Sequence, residues 1–211
     1  MKQYFALGLV LALLTGFAGC GFTKEPGLPP PQDTAGLVHG DAVPVLTLDS
    51  PAAKRVNDEI AWVMQEYEVE RSAYFTSMRG DVLSLILCLA EETGDTFYVW
   101  HINTKTGETV TNEELLRLAG WGRLALLENL QRKMDHFYGG PQERDRIYRK
   151  MTSELQDIER LRLYLGEDGR LFWVCQFVFP GDEKYKEVLL DPDLEDTMYT
   201  VDMETGWGML G

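Results

Sequence analysis

Apolar side chains at Val56, Ile60, Val63, Met64 and Tyr67 recur at three- and four-residue spacing, which predicts an amphipathic helix. Ser50-Pro51 supplies its start, a hydroxyl cap followed by Pro at a position where a missing N–H costs nothing. Glu66, Glu68 and Glu70 read as its solvated end. The pattern then changes to short apolar runs. Ala73 to Met78 and Val82 to Ala90 are predicted strands of a hairpin that turns at Arg79-Gly80-Asp81, where Gly supplies the geometry of the tip. Arg-Gly-Asp also spells an adhesion tripeptide, but a hairpin tip accounts for the same letters. Thr96 to Ile102 is a third strand. It ends in Asn103-Thr-Lys-Thr-Gly107, where Asn can cap its own turn and Gly accepts positive φ.

Helical spacing returns at Val110. Thr111 with Glu114 forms a capping box, Val110 can staple against Leu115, and Gly120 stops the helix. Arg123 to Tyr138 places Leu124, Leu127, Leu130, Met134 and Phe137 on one stripe and ends at Gly139-Gly140-Pro141. A further helix carries Ile147, Met151, Leu155, Ile158 and Leu161, and the two are expected to form a helical hairpin. Glu167-Asp168-Gly169 turns into a strand from Arg170 to Phe179, stopped by Pro180-Gly181; Lys184 to Leu190 and Thr197 to Met203 complete the strands. Tyr199 to Gly206 echoes the earlier order of strand, Asx and Thr-Gly, and a shared turn solution explains the echo without a duplicated unit. The order helix, three strands, three helices, three strands predicts one α+β domain over residues 50–211. Its expected form is an antiparallel sheet of about six strands with segregated helices.

Ahead of this domain, Lys2 precedes an uncharged apolar run from Tyr4 to Leu14, the layout of a secretory signal and too short for the roughly 20 residues that span a bilayer. Phe17-Ala18-Gly19-Cys20 resembles the bacterial lipobox, although Phe17 stands where that motif usually has Leu. The resemblance implies a cleaved signal over residues 1–19 and lipidation of Cys20, with the chain held to the membrane through its N-terminal lipid, since two acyl chains anchor stably where one does not. Residues 20–49, which include Pro29-Pro30-Pro31, are expected to be an extended Pro/Gly-rich tether. With 34 acidic against 20 basic residues the net charge is −14, and no run of Lys or Arg occurs, which argues against a nucleic-acid partner.

Residues that could carry chemistry are sparse. His39, His101 and His136 stand alone, without a His or Cys at metal-ligand spacing, so no metal and no cofactor are expected. Hydrolase elbows, phosphate-cradling loops and zinc-protease helices have no counterpart. Cys88 and Cys175 both sit in apolar strand patterns; outside the cytoplasm they can bridge, or each can serve as a small buried hydrophobe. Asp191-Pro-Asp-Leu-Glu-Asp196 has the alternation of a calcium loop but lacks its Gly and its closing Glu, and reads as a solvated loop. Trp121 and Trp207, each between glycines, can contact a ligand through their faces or plug an end of the core.

The succession Tyr74-Phe75, Gly80-Asp-Val-Leu-Ser-Leu85, Tyr98-Val-Trp-His-Ile-Asn103-Thr-Lys-Thr-Gly107, Thr111 and Glu114-Leu-Leu116 resembles an uncharacterised extracytoplasmic domain family. That domain forms the C-terminus of lysozyme-sensing anti-sigma-V factors and also accompanies polysaccharide deacetylase modules. The resemblance, over Ser50 to about Leu190, implies an envelope-facing domain that binds lysozyme in some relatives and accompanies a peptidoglycan-modifying enzyme in others; it transfers no catalytic residue. The resulting expectation is a lipid-anchored, non-enzymatic binding module on the extracytoplasmic face of the cell membrane. Its acidity suits a cationic protein such as lysozyme. The alternatives are a peptidoglycan- or carbohydrate-acting enzyme or accessory domain, and a passive structural lipoprotein.

Overall fold

The computed structural model describes residues 32–67, 71–91, 94–141, 145–177, 186–193, 198–202 and 206–210. Cys20, the signal stretch 1–19 and the tether up to residue 31 lie outside the described residues.

Two strands are apolar on both faces, and this sets the architecture. In β4 (Val82–Glu91), Leu83, Leu85, Leu87 and Leu89 are buried on one side and Ile86 and Cys88 on the other. In β7 (Leu171–Phe177), Leu171, Trp173, Cys175 and Phe177 face one way, Phe172 and Val174 the other. A strand alternates its side chains with period two, so each of these must be covered on both sides. The outcome is α+β, but the single sheet of about six strands is corrected to three separate antiparallel sheets. One holds β1 (Val38–His39) and β2 (Val45–Leu46). The second has the order β3 (Arg71–Arg79), β4, β5 (Gly94–Asn103). The third has the order β10 (Gly206–Leu210), β9 (Met198–Asp202), β8 (Lys186–Leu190), β7, β6 (Arg162–Leu165).

The chain therefore stacks in layers. Helix α1 (Pro51–Glu66), capped by Ser50, packs Val56, Ile60 and Val63 on the odd-numbered leucines of β4. The other face of that sheet meets the third sheet through Ile86, Cys88, Phe97, Tyr164, Phe172, Val174 and Leu189. The far face of the third sheet is covered by α2 (Asn112–Ala119), α3 (Arg123–Phe137) and α4 (Arg146–Glu154). Buried apolar side chains of this kind each contribute about 1.5–3 kcal/mol.

Local signals in the chain are realised closely. Thr111 and Glu114 form the reciprocal capping box, Val110 and Leu115 are buried together, and Gly120 ends α2 at φ 74. Asn103 Oδ1 accepts from the N–H groups of Lys105 and Thr106, and Gly107 adopts φ 72. The β3–β4 hairpin turns at Gly80-Asp81, but Arg79 is buried, so the Arg-Gly-Asp letters are not presented together at the surface.

Three expectations change. Leu124 is exposed, because the stripe of α3 runs instead through Leu126, Leu130 and Met134. The helix expected to reach Leu161 ends at Glu154; a 3-10 turn, Ile158–Arg160, then leads into β6, held where Asn112 Nδ2 donates to the carbonyls of Ile158 and Leu161. The described end of the tether is packed chain: Val38 and Leu46 are buried against α1, and Thr34 bonds Thr76.

Candidate functional site

One flank of α1 is not buried. Arg55, Glu59 and Trp62 recur at spacings of four and three, which places them along a single line beside the buried stripe. Opposite them runs β5, an edge strand of its sheet. The space between is a groove with two joined compartments of about 290 Å³ and 370 Å³. Glu59, Val99, Trp100 and Arg162 line both.

The wider compartment is aromatic. Trp62 is 55% exposed on α1. On β5, Tyr98 and Trp100 stack with ring centroids 6.0 Å apart, and Tyr67 meets Tyr98 edge-on. Trp100 Nε1 donates to Glu59 Oε2 at 2.7 Å, which fixes the indole against the helix. The narrower compartment is polar and lies where α1, β5, β6 and the start of α2 meet. Glu159 accepts there from the backbone N–H groups of Asn112 and Glu113, at 3.2 and 3.3 Å, closing the open donors at the N-terminus of α2. Arg55 reaches Thr109 Oγ1.

The groove is held in place by a bonded corner. Glu187, buried on β8, accepts from both terminal nitrogens of Arg162, from Gln176 and from the Phe97 N–H of β5. Arg162 in turn donates to the Phe97 carbonyl at 3.2 Å. Side chains of the third sheet thus cap the edge of the second at this residue.

His101 also borders the groove but is fully engaged. Its Nε2 donates to the Leu163 carbonyl at 2.6 Å, and its Nδ1, 2.8 Å from Ser84 Oγ, therefore accepts from that hydroxyl. Burial lowers its pKa from 6.5 to about 4, against a smaller opposing effect of the Leu163 carbonyl. The ring is a neutral tie between two sheets, with both nitrogens spent, and not a free base beside a serine.

The residues singled out by sequence fall elsewhere. Cys88 and Cys175 are free and buried, which corrects the bridge. Cys175 faces the helices from β7 and Cys88 faces the space between the sheets, so their side chains lie on opposite faces of β7. Burial pushes both thiols up, which makes them poor nucleophiles. Trp121 packs partly buried against the helical core just after α2. Trp207 is in β10 opposite Val201, and its side chain lies outside the described residues. Asp191, the first residue of the calcium-like loop, is buried on Arg170 at 2.7 Å; residues 194–197 lie outside the described residues. His39 is exposed on β1 and His136 on α3.

Trp62, Tyr98, Trp100 and Glu59 did not emerge from sequence alone. One signal was present: Trp62 is a large aromatic off the apolar stripe of an otherwise regular helix. A second pocket of about 360 Å³, between Phe75, Tyr164, Phe172 and Tyr199, already holds a cation of its own, Arg170, over the Phe172 and Tyr199 rings. No family model, curated protein or solved structure matches the chain.

Proposed function

We propose that the chain is a lipid-anchored, extracytoplasmic binding module of the bacterial cell envelope, acting by holding a cationic protein such as lysozyme and not by catalysis. The observation that carries this reading is the α1–β5 groove, in which an exposed Trp62 and a stacked Tyr98–Trp100 pair stand ready as anchors. Aromatic anchors of this kind dominate protein interfaces. A net charge of −14 speeds encounter with a cationic partner. The lipobox-like Cys20 and the resemblance to the lysozyme-sensing domain point the same way. Within the groove, the imidazole that could act as a base is bonded at both nitrogens, which favours recognition over chemistry.

A second reading, a peptidoglycan or carbohydrate accessory domain, is favoured by one feature. Flat aromatic rings beside a carboxylate and a guanidinium suit a sugar ring.

Calorimetric titration of the processed chain, with Cys20→Ser to keep it soluble, separates the two. Saturable lysozyme binding that weakens at higher salt is expected. Silence with lysozyme together with heat from chitotetraose transfers the function to glycan.

A further inference from the structure

Both faces of β5 contribute to the groove. Six consecutive residues, Thr96, Phe97, Tyr98, Val99, Trp100 and His101, line one compartment or the other. Successive side chains of a strand point to opposite faces, so a cavity lying on one face would touch every second residue only. A cavity that touches six in a row lies along the edge of the strand, where the backbone itself is presented.

The direction of that backbone follows from its bonds. The Phe97 N–H and carbonyl go outward to Glu187 and Arg162. The His101 carbonyl accepts from the Val110 N–H, and the Asn103 N–H donates to the Glu108 carbonyl. The register with β4 is unbroken from Val82↔Asn103 to Glu91↔Gly94. In an antiparallel pair the bonded and unbonded positions alternate, so Phe97, Val99, His101 and Asn103 all turn their backbone groups away from β4. Phe97, His101 and Asn103 have partners. Val99, midway, has none among the described residues, and it lines both compartments.

An edge N–H and C=O left open in the middle of a groove are the complement of another extended chain. We propose that Val99 is a strand-addition point: an extended segment of a partner polypeptide lies along β5 and exchanges backbone hydrogen bonds with Val99. Apolar side chains of the segment rest on Trp62 and the Tyr98–Trp100 pair, and Glu59, with one oxygen on Trp100, offers the other to a Lys or Arg of the segment. Capping at Phe97 and at His101 limits the paired stretch to about one bonded position, enough to set register and direction and too little to template aggregation. This inference rests on the reading of the chain as a protein-binding module and specifies how that module grips.

The test reads the Val99 amide directly, by hydrogen exchange monitored with NMR on the processed Cys20→Ser chain. Alone, the Val99 N–H exchanges at least tenfold faster than those of Tyr98 and Trp100, which point into the sheet. Two probes are added separately: lysozyme, and an acetylated octapeptide of alternating Lys and Val. Protection of Val99 by at least tenfold with either probe supports the proposal. It gains further support if N-methylation of alternate amides in the peptide, which keeps its charge, removes the effect.

A Val99→Pro variant gives a second readout. Its lost N–H points away from β4, so the ladder is kept, and a fall in lysozyme affinity of tenfold or more is expected. Saturable lysozyme binding with Val99 exchange unchanged overturns strand addition while leaving the binding-module reading intact. Val99 protection by chitotetraose and by neither polypeptide overturns both. Silence from every probe overturns the proposal.

Discussion

The two outer helical layers do unequal work. A helix with its side chains is about 10–12 Å across and strands lie about 4.8 Å apart, so one helix covers roughly two strands. On one side α1 faces three strands alone, and the edge strand β5 is left with an open flank and a cluster of half-exposed rings. On the other side α2, α3 and α4 share the third sheet, and Trp173, Leu163, Leu165 and Leu190 beneath them are fully buried. The comparison teaches where a fold can keep a recognition surface: at the sheet too wide for its cover.

The largest effect should come from the closed side. Trp173, with no exposure, fills the centre of the helical core. Trp173→Ala is expected to cost about 3–5 kcal/mol in urea denaturation. Lysozyme binding by the fraction that remains folded should be unchanged. A cost below about 1 kcal/mol would show that this layer is no better packed than the other.

The seam between the sheets gives the next effect. An unfolded imidazole titrates near 6.5 and His101 in the fold near 4, so between these values the unfolded chain holds a proton that the native state lacks. Stability is therefore complete above about pH 6.5 and falls as pH drops toward 4, by up to about 3 kcal/mol from this residue. His101→Gln should flatten that part of the pH profile, as read by thermal melting from pH 4 to 7. An unchanged slope would assign the pH dependence to other groups.

Thr111→Ala, at the head of α2, removes a capping hydroxyl at the narrow end of the groove. A loss of about 1 kcal/mol is expected. Because Glu159 still binds the Asn112 and Glu113 N–H groups, groove binding should fall by less than threefold. A larger fall would mean that the end of α2 is itself part of the recognition surface.

Local chemistry was readable and partition was not. The Thr111 box, the Gly120 stop, the Asn103 turn and the β3–β4 hairpin each depend on a few neighbouring residues, and each stands where the letters place it. The single-sheet expectation failed because strand counting ignores faces. Val82-Leu-Ser-Leu-Ile-Leu-Cys-Leu and Leu171-Phe-Trp-Val-Cys-Gln-Phe are apolar on both sides, which already demands two covers for each strand. Strand β6 was hidden because Leu155, Ile158 and Leu161 keep helical spacing through a 3-10 turn that belongs to no helix. The groove was least legible of all. Glu59 and Trp100 are far apart in sequence and meet only once α1 is laid across the sheet, so attention fell on Trp121 and Trp207, whose glycine neighbours mark turns more than ligands.

The smallest effect on stability should be the most telling for function. Trp62 is exposed on α1 and outside the stripe of Val56, Ile60 and Val63 that holds the helix down. Trp62→Ala removes no buried area of consequence and places a better helix former at that position, so unfolding free energy should stay within about 0.5 kcal/mol of the parent. Its loss from the groove is another matter, since a Trp anchor at an interface is commonly worth 2 kcal/mol or more, roughly thirtyfold in affinity. Parallel melting and lysozyme titration of this one variant read both quantities. Unchanged melting with at least tenfold weaker binding would place recognition on the open side of the molecule. Unchanged binding would mean that the half-covered sheet is merely a gap in the cover, and would turn the search toward the aromatic pocket around Arg170.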